Sequence, residues 1–150
     1  MLNITLICTG GLRETYFRDA AAEYEKRLGA FCRFRAVELA PTADTTDSTM
    51  ARRILSVLPV RSYNVALCVE GKQLSSAQLA QMLERIPGEG FSEAAFVIGG
   101  SDGLPDEVKA ACRYRMSFSP MTFPHQLMRV ILTEQIYRAL TINHNGKYHK

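Results

Sequence analysis

Long apolar runs are missing from this chain, and so is a basic leader in front of one. Met1 to Cys8 is a short stretch interrupted by Asn3 and Thr5, which suits neither a membrane span nor a secretory signal. The expectation is a cytoplasmic protein that does not engage a membrane. Internal repeats, linkers and low-complexity tracts are also absent, so residues 1–150 read as a single domain, large enough to bury a core without disulfides or metals. Cys8, Cys32, Cys68 and Cys112 are scattered, with no C-x-x-C pair and no histidine at zinc-like spacing. Neither a redox motif nor a metal site is expected. Three of these cysteines fall in apolar runs, where a free thiol behaves as a small hydrophobe, and no cationic neighbour stands ready to activate any of them.

What the chain does contain is ordinary in amount and uneven in placement. Apolar residues make up 47% and charged residues 22%, the balance of a folded globular domain. From Cys112 onward there are six basic residues, Arg113, Arg115, Arg129, Arg138, Lys147 and Lys150, against the single acid Glu134. That third therefore carries +5 of the overall +3, and the first 111 residues carry −2. A basic C-terminal third is the footprint of a phosphate-bearing partner or, more commonly, a solvated face.

The hydrophobic pattern alternates between strand and helix. Leu2 to Cys8 is β-branched and apolar and stops at Thr9-Gly10-Gly11, a buried strand and its turn. Phe17, Ala20, Ala21, Tyr24 and Leu28 recur at helical spacing as far as Gly29, and Cys32 to Leu39 alternates like a half-exposed strand. A polar connection from Pro41 to Ser48 leads into a helix over Thr49 to Leu58. Tyr63 to Val69 reads as a strand that turns at Glu70-Gly71-Lys72. Ser75 and Gln78 have the spacing of a capping box ahead of the stripe Leu79, Met82, Leu83 and Ile86. Ala94 to Ile98 is a strand entering a glycine loop, Pro105 opens a helix to Cys112, and Tyr114 to Phe118 is a last strand. Pro124 then opens the longest helix, to Ile142. The alternation predicts an α/β fold, a parallel sheet with helices on both faces. Ligands of such sheets sit beyond the carboxyl ends of the strands, which nominates the loop after Val69, the loop Gly99 to Gly103, and Ser119 to Gln126.

Two of those loops carry candidate chemistry. Gly99-Gly100-Ser101-Asp102-Gly103 lacks the order of a dinucleotide fingerprint and fails as a P-loop. It does match G-x-S-x-G between a strand and a helix, the form of a hydrolase nucleophile elbow, with His125 following. The acid expected between the two is misplaced, because Asp106 opens the same helix; a plain structural turn is the other reading. The segment Ser117 to Gln126 holds two prolines that fix its path. Phe118, Met121 and Phe123 there read first as core packing, and His125 as a structural imidazole. In the last helix Leu127, Val130, Ile131, Leu132, Ile136, Ala139 and Leu140 spread around nearly the whole circumference. Such a helix is covered on more than one side, and a second copy of the chain is the expected cover. The tail Asn143 to Lys150 is polar and cationic, either frayed or an arm for RNA.

Three strings carry a resemblance to a known family. Phe96 to Leu104 (FVIGGSDGL), Ser117 to Ala139 (SFSPMTFPHQLMRVILTEQIYRA) and the terminal Tyr148-His149-Lys150 resemble the small SPOUT-class enzymes that methylate N3 of a pseudouridine in large-subunit (23S) ribosomal RNA. The resemblance runs the length of the chain and is strongest after Phe96. It implies a C-terminal trefoil knot, which the general rule against knotted chains would not suggest, and a homodimer. It also implies S-adenosylmethionine as cofactor, held by Leu67, Gly99, Phe118, Ser119, Pro120, Met121, Thr122 and Phe123, with no metal. One departure stands out: relatives place an acid after the leucine matching Leu67, where this chain has Cys68.

A sulfonium methyl group is already activated, so the protein's tasks are alignment and exclusion of water. The acceptor nitrogen must lose its proton. His149 and Tyr148 of the tail are the expected catalytic residues, closing over the partner subunit's pocket, with Arg138 and Lys147 facing the imide anion or an RNA phosphate. The modest basic charge points to recognition of an assembled ribosomal surface by shape.

Overall fold

The computed structural model describes residues 1–149; Lys150, the last residue of the basic tail, lies outside the described residues. Strands and helices alternate as β1 (Asn3–Thr9), α1 (Thr15–Leu28), β2 (Arg33–Leu39), α2 (Asp47–Val57), β3 (Tyr63–Gln73), α3 (Ser76–Arg85), β4 (Glu93–Ile98), α4 (Asp106–Ala111), β5 (Tyr114–Ser117) and α5 (His125–Asn143). A single 3-10 turn, Pro87–Glu89, separates α3 from β4. The five strands form one sheet in the order β2-β1-β4-β3-β5, and every pair is parallel.

The apolar runs of the central strands are buried on both faces, as a sheet covered by crossover helices requires. Side chains alternate along a strand. Ile4, Leu6 and Cys8 of β1, with Ala94, Phe96 and Ile98 of β4, join the core shared with α1, α3 and α5. Ile7 and Val97 belong to the second core, with Ala51 and Ile54 of α2 and Val108 of α4. The helices therefore divide three to one face and two to the other.

Local chemistry sets the helix starts. Ser75 Oγ accepts from the Gln78 N–H at 3.1 Å, and Gln78 Oε1 accepts from the Ser75 N–H at 2.8 Å, completing the expected capping box. Thr46 caps α2 by accepting from the Thr49 N–H, so that helix starts ahead of the expected Thr49. In α5, Leu132, Ile136, Ala139 and Leu140 enter the first core, while Leu127, Val130 and Ile131 stay half-buried.

The strand β3 departs from expectation. It does not turn at Glu70-Gly71-Lys72 but continues to Gln73, and Leu67 and Lys72 both lie opposite Met116 of β5. Residues between them bulge from the ladder, which re-aims side chains as bulges do. Gly71 is there for close approach: a Cβ on it would stand 2.8 Å from backbone atoms of Arg115 and Met116. Substituting Gly71→Ala should accordingly cost about 1–3 kcal/mol through forced backbone shifts. Gly88→Ala, where a Cβ meets nothing within 4 Å, should stay within about 0.5 kcal/mol of the parent. Urea unfolding of the two variants compares them directly, and equal midpoints would contradict the close-approach account.

Candidate active site

The carboxyl ends of β3, β4 and β5 surround a cavity of about 710 Å³, within the range of about 300–1,000 Å³ used by small-molecule and cofactor sites. Three segments wall it: Leu67 to Glu70 from the β3 bulge, Ile98 to Leu104 after β4, and the stretch from Met116 to Met128 after β5. These are the loops nominated by strand order.

Backbone geometry builds two of the walls. Gly99 has no room for a side chain, since a Cβ would lie 2.5 Å from the Gly103 carbonyl carbon. Gly103 adopts φ 77°, a conformation glycine takes without penalty, and its N–H donates to the Gly100 oxygen at 3.0 Å. The result is a tight turn with Ser101 and Asp102 exposed at its tip. In the third wall, the Ser119 N–H donates to Ser117 Oγ at 3.2 Å and the Met121 N–H donates to Ser119 Oγ at 3.0 Å. These side-chain turns and two prolines set the path of the loop.

The expected core packing of this loop holds for only one of its three large apolar residues. Phe118 packs against the core, but Met121 is 74% exposed and Phe123 37% exposed. Both border the cavity, where a wide apolar face is available to a ligand. Leu67, Gly99, Phe118, Ser119, Met121, Thr122 and Phe123 thus converge on one space, while Pro120 belongs to the same loop without lining the cavity.

The first wall carries charge that spacing arguments missed. Lys109 Nζ of α4 lies 2.5 Å from Glu70 Oε1, and both residues line the cavity. The Lys109 hydrogen bond holds the Glu70 carboxyl below its ordinary range. Burial, followed by the Glu70 charge, pushes the neighbouring Cys68 thiol up. A thiol so placed is a weak nucleophile.

The Ser101 reading as a nucleophile fails on geometry. Asn145 is the only non-glycine residue with positive φ among the described residues, so Ser101 is not on a strained elbow. His125 and Ser101 both border the cavity, but no hydrogen bond joins them among the described residues.

A buried ion cluster anchors the third wall from behind. Arg129, 7% exposed, donates from Nη1 to Glu38 Oε2 of β2 and lies 3.8 Å from Glu25 Oε1 of α1. Burial raises the Glu25 carboxyl, and the Arg129 charge offsets part of that rise. Next to this cluster the Cys8 thiol is pushed up to about 12, chiefly by burial. Gln126 Oε1 accepts from the Arg13 N–H at 2.8 Å, tying the first turn of α5 to the loop after β1.

The four tail and helix residues expected at the reaction centre lie elsewhere in their own protomer. Tyr148 donates its hydroxyl to Glu134 Oε2 at 2.7 Å, and Arg138 Nη2 donates to the same oxygen at 2.7 Å. The Arg138 guanidinium stands 4.9 Å from the Tyr148 ring centroid, and Tyr137 packs edge-on at 4.7 Å. Burial, then hydrogen bonding to Tyr24 and Glu134, raises the Tyr148 pKa. Glu134 is roughly 13 Å along α5 from His125 at about 1.5 Å per residue. Lys147 and His149 are exposed, and none of the four borders the cavity.

A parallel α/β sheet with a partly backbone-walled cleft over its strand ends, and no nucleophile–base hydrogen bond in it among the described residues, is the architecture of a protein that positions a bound ligand. A family model described as "Predicted SPOUT methyltransferase" matches residues 2–149. The chain belongs to that family of methyltransferases. The "Ribosomal RNA large subunit methyltransferase H" of Streptococcus equi subsp. zooepidemicus (strain MGCS10565) is 45% identical over 159 residues, covering 99% of this chain and 100% of that one. The protein of the same name from Streptococcus uberis (strain ATCC BAA-854 / 0140J) is 42% identical with the same coverage. Among solved structures, "The structure of a probable methylase family protein from Haemophilus influenzae Rd KW20" has a TM-score of 0.58 at 17% identity, covering 99% of this chain and 70% of that one, and it shares the fold.

Removing the guanidinium behind the third wall should be costly. Arg129→Ala is expected to lose about 3 kcal/mol, the low end for a broken buried pair because Glu38 stays partly in water. Urea unfolding measures it, and a loss below about 1 kcal/mol would place the cluster among surface pairs.

Proposed function

We propose that the chain transfers a methyl group from S-adenosylmethionine to N3 of a pseudouridine in large-subunit (23S) ribosomal RNA, acting in the cytoplasm on assembled ribosomes. The observation that carries this reading is the convergence of Leu67, Gly99, Phe118, Ser119, Met121, Thr122 and Phe123 on one cavity. Those are residues that the family resemblance assigns to the cofactor. The printed names of the relatives supply the ribosomal RNA. No helix among the described residues is long and apolar enough to cross a membrane.

The cavity suits such a cofactor. Gly99 lets the turn close within the wall, the exposed faces of Met121 and Phe123 border the same space, and the Glu70 carboxylate offers an acceptor for hydroxyl or ammonium groups. When bound, S-adenosylmethionine supplies a methyl group already activated on sulfur. The walls hold it in line with the acceptor and keep water out. The Pro120 ring contributes by stiffening the loop.

Removal of the N3 proton falls to the tail. Tyr148, with its pKa raised, stays protonated and anchors the tail through Glu134, and His149 takes the proton. Because the tail packs on the middle of its own α5, it serves the cleft of a second copy. The half-buried Leu127, Val130 and Ile131 form the apolar seam of a twofold dimer. Arg138 and Lys147 then face the imide anion or an RNA phosphate. The trefoil knot is part of the same proposal, as is the treatment of residues 1–150 as one domain. In support, the chain leaves β5 at the sheet edge, passes the ends of β3 and β4, and reaches the loop after β1 at Gln126.

Calorimetry should detect S-adenosylmethionine binding, and ribosomes from cells lacking this protein should accept its methyl group. Deleting Tyr148 to Lys150 should lower transfer by about 10²–10⁴-fold, the usual share of a proton-transfer group, while cofactor affinity stays within about threefold. Undiminished turnover would remove the tail from the mechanism. Charging the seam with Leu127→Asp and Ile131→Asp should give a monomer in analytical ultracentrifugation, and a fluorophosphonate should leave Ser101 unlabelled.

A further inference from the structure

A second cleft, about 420 Å³, opens on the other side of the Gly100–Gly103 turn. The proposed transfer does not use it. Its floor is the loop after β1, Thr9 to Arg13, and its far side is the end of β2 with Asp47, Met50 and Arg53 of α2. The turn Gly100 to Gly103 and His125 border both cavities, so one thin loop separates them.

The lining has a mixed polarity. Arg13 is exposed at the rim, and its side chain is free of protein hydrogen bonds among the described residues; only its backbone is engaged, by Gln126 and Arg18. Arg53 is held at the opposite side, donating from Nη2 to the Ala40 oxygen at 2.5 Å. Asp47 and Asp102 bring carboxylates to the same space. Thr9 Oγ1, in the wall next to Gly100, is buried with no hydrogen-bond partner. Gly10 takes φ 84°, with nothing within 4 Å of where a Cβ would stand, so the β1 loop leaves the cleft open.

A purely anionic ligand would meet two carboxylates, and a purely cationic one two guanidinium groups. A nucleotide satisfies both. Its phosphate and ring carbonyls pair with guanidinium donors, and the N–H groups of its base donate to carboxylate or hydroxyl acceptors. RNA is read in this manner where bases are splayed out of their stack and bonded along their edges.

We propose that this second cleft seats a nucleotide of the substrate RNA strand, held across the Gly100–Gly103 turn from the donor cavity. The assignment rests on the RNA methyltransferase reading for its substrate class. It gives Arg13 a role in holding the strand and Met50 a role as part of the far side. Arg13 acts on binding and touches no reacting atom.

The test begins with uridine 5′-monophosphate titrated into ¹⁵N-labelled protein and followed by NMR. Amides of Gly10, Gly11, Arg13, Ser101 and Asp102 should shift together. Arg13→Ala and Met50→Trp, the latter filling the cleft, should each weaken binding by about tenfold, the scale of one lost charge-assisted contact. On ribosomes, the same variants should raise KM by a similar factor, with S-adenosylmethionine affinity within about threefold of the parent. Shifts confined to residues 118 to 123, or wild-type binding by both variants, would overturn the assignment. So would shifts at Gly10 and Gly11 on deletion of Tyr148 to Lys150 without nucleotide, because a partner's tail would then be the occupant. If the nucleotide binds here but ribosomes accept no methyl group, the methyltransferase reading falls and the cleft stands; methyl transfer without nucleotide binding gives the reverse.

Discussion

The buried guanidinium of Arg129 is the contact on which the geometry over the strand ends depends. A charge removed from water is tolerated only when it is paired, and here the partners come from two other elements, Glu38 at the end of β2 and Glu25 of α1. With Gln126 fixed to the Arg13 N–H, the first two turns of α5 have one place to sit. The loop from Phe118 to Pro124 must therefore bridge the edge strand β5 and that place, which carries it past the ends of β3 and β4. The cavity of about 710 Å³ is the space left under that bridge. The second cleft lies on the same anchor, since the Arg13 backbone and His125 belong to its lining.

Much of this was legible in the sequence because it depends on short-range pattern. The uninterrupted apolar runs of β1 and β4 could only be strands covered on both faces, and Ser75 with Gln78 announced the start of α3. The rule that parallel sheets bind ligands at their carboxyl ends was enough to nominate all three walls. The errors came where a residue serves a distant neighbour. Gly71 looks like a turn residue, but it is glycine because β5, more than forty positions later in the chain, passes within 2.8 Å of its absent Cβ. Met121 and Phe123 have the composition of core residues and instead border the cavity. Arg129, Glu38 and Glu25 gave no signal at all, because ion pairing across three elements leaves no periodicity.

Close backbone approach constrains Gly71, beside the first wall, and Gly99, in the second, to glycine. Cys68 stands where the family resemblance leads one to expect an acid, and Glu70, two residues later in the bulge, brings a carboxylate to the same wall. Its partner Lys109 comes from α4, so that carboxylate is held by a second element.

Methyl transfer from sulfur to nitrogen needs donor and acceptor in line and close, with little between them. A stretch of backbone between the reacting atoms would block the attack, so on the proposed reading the methyl group and its acceptor meet in one cavity and the second cleft holds a neighbouring nucleotide. The turn Gly99 to Gly103 stands between the two clefts, pinned by its own hydrogen bond and by the impossibility of a Cβ at Gly99. It closes one cavity and borders the other with the thickness of a single chain. The exposed Ser101 and Asp102 at its tip, which at first resemble a hydrolytic nucleophile and its neighbour, are on this view polar groups at the boundary between the two clefts. The glycine-serine-glycine string is therefore explained by a thin, pinned wall between two clefts, with no role for the serine as an attacking group.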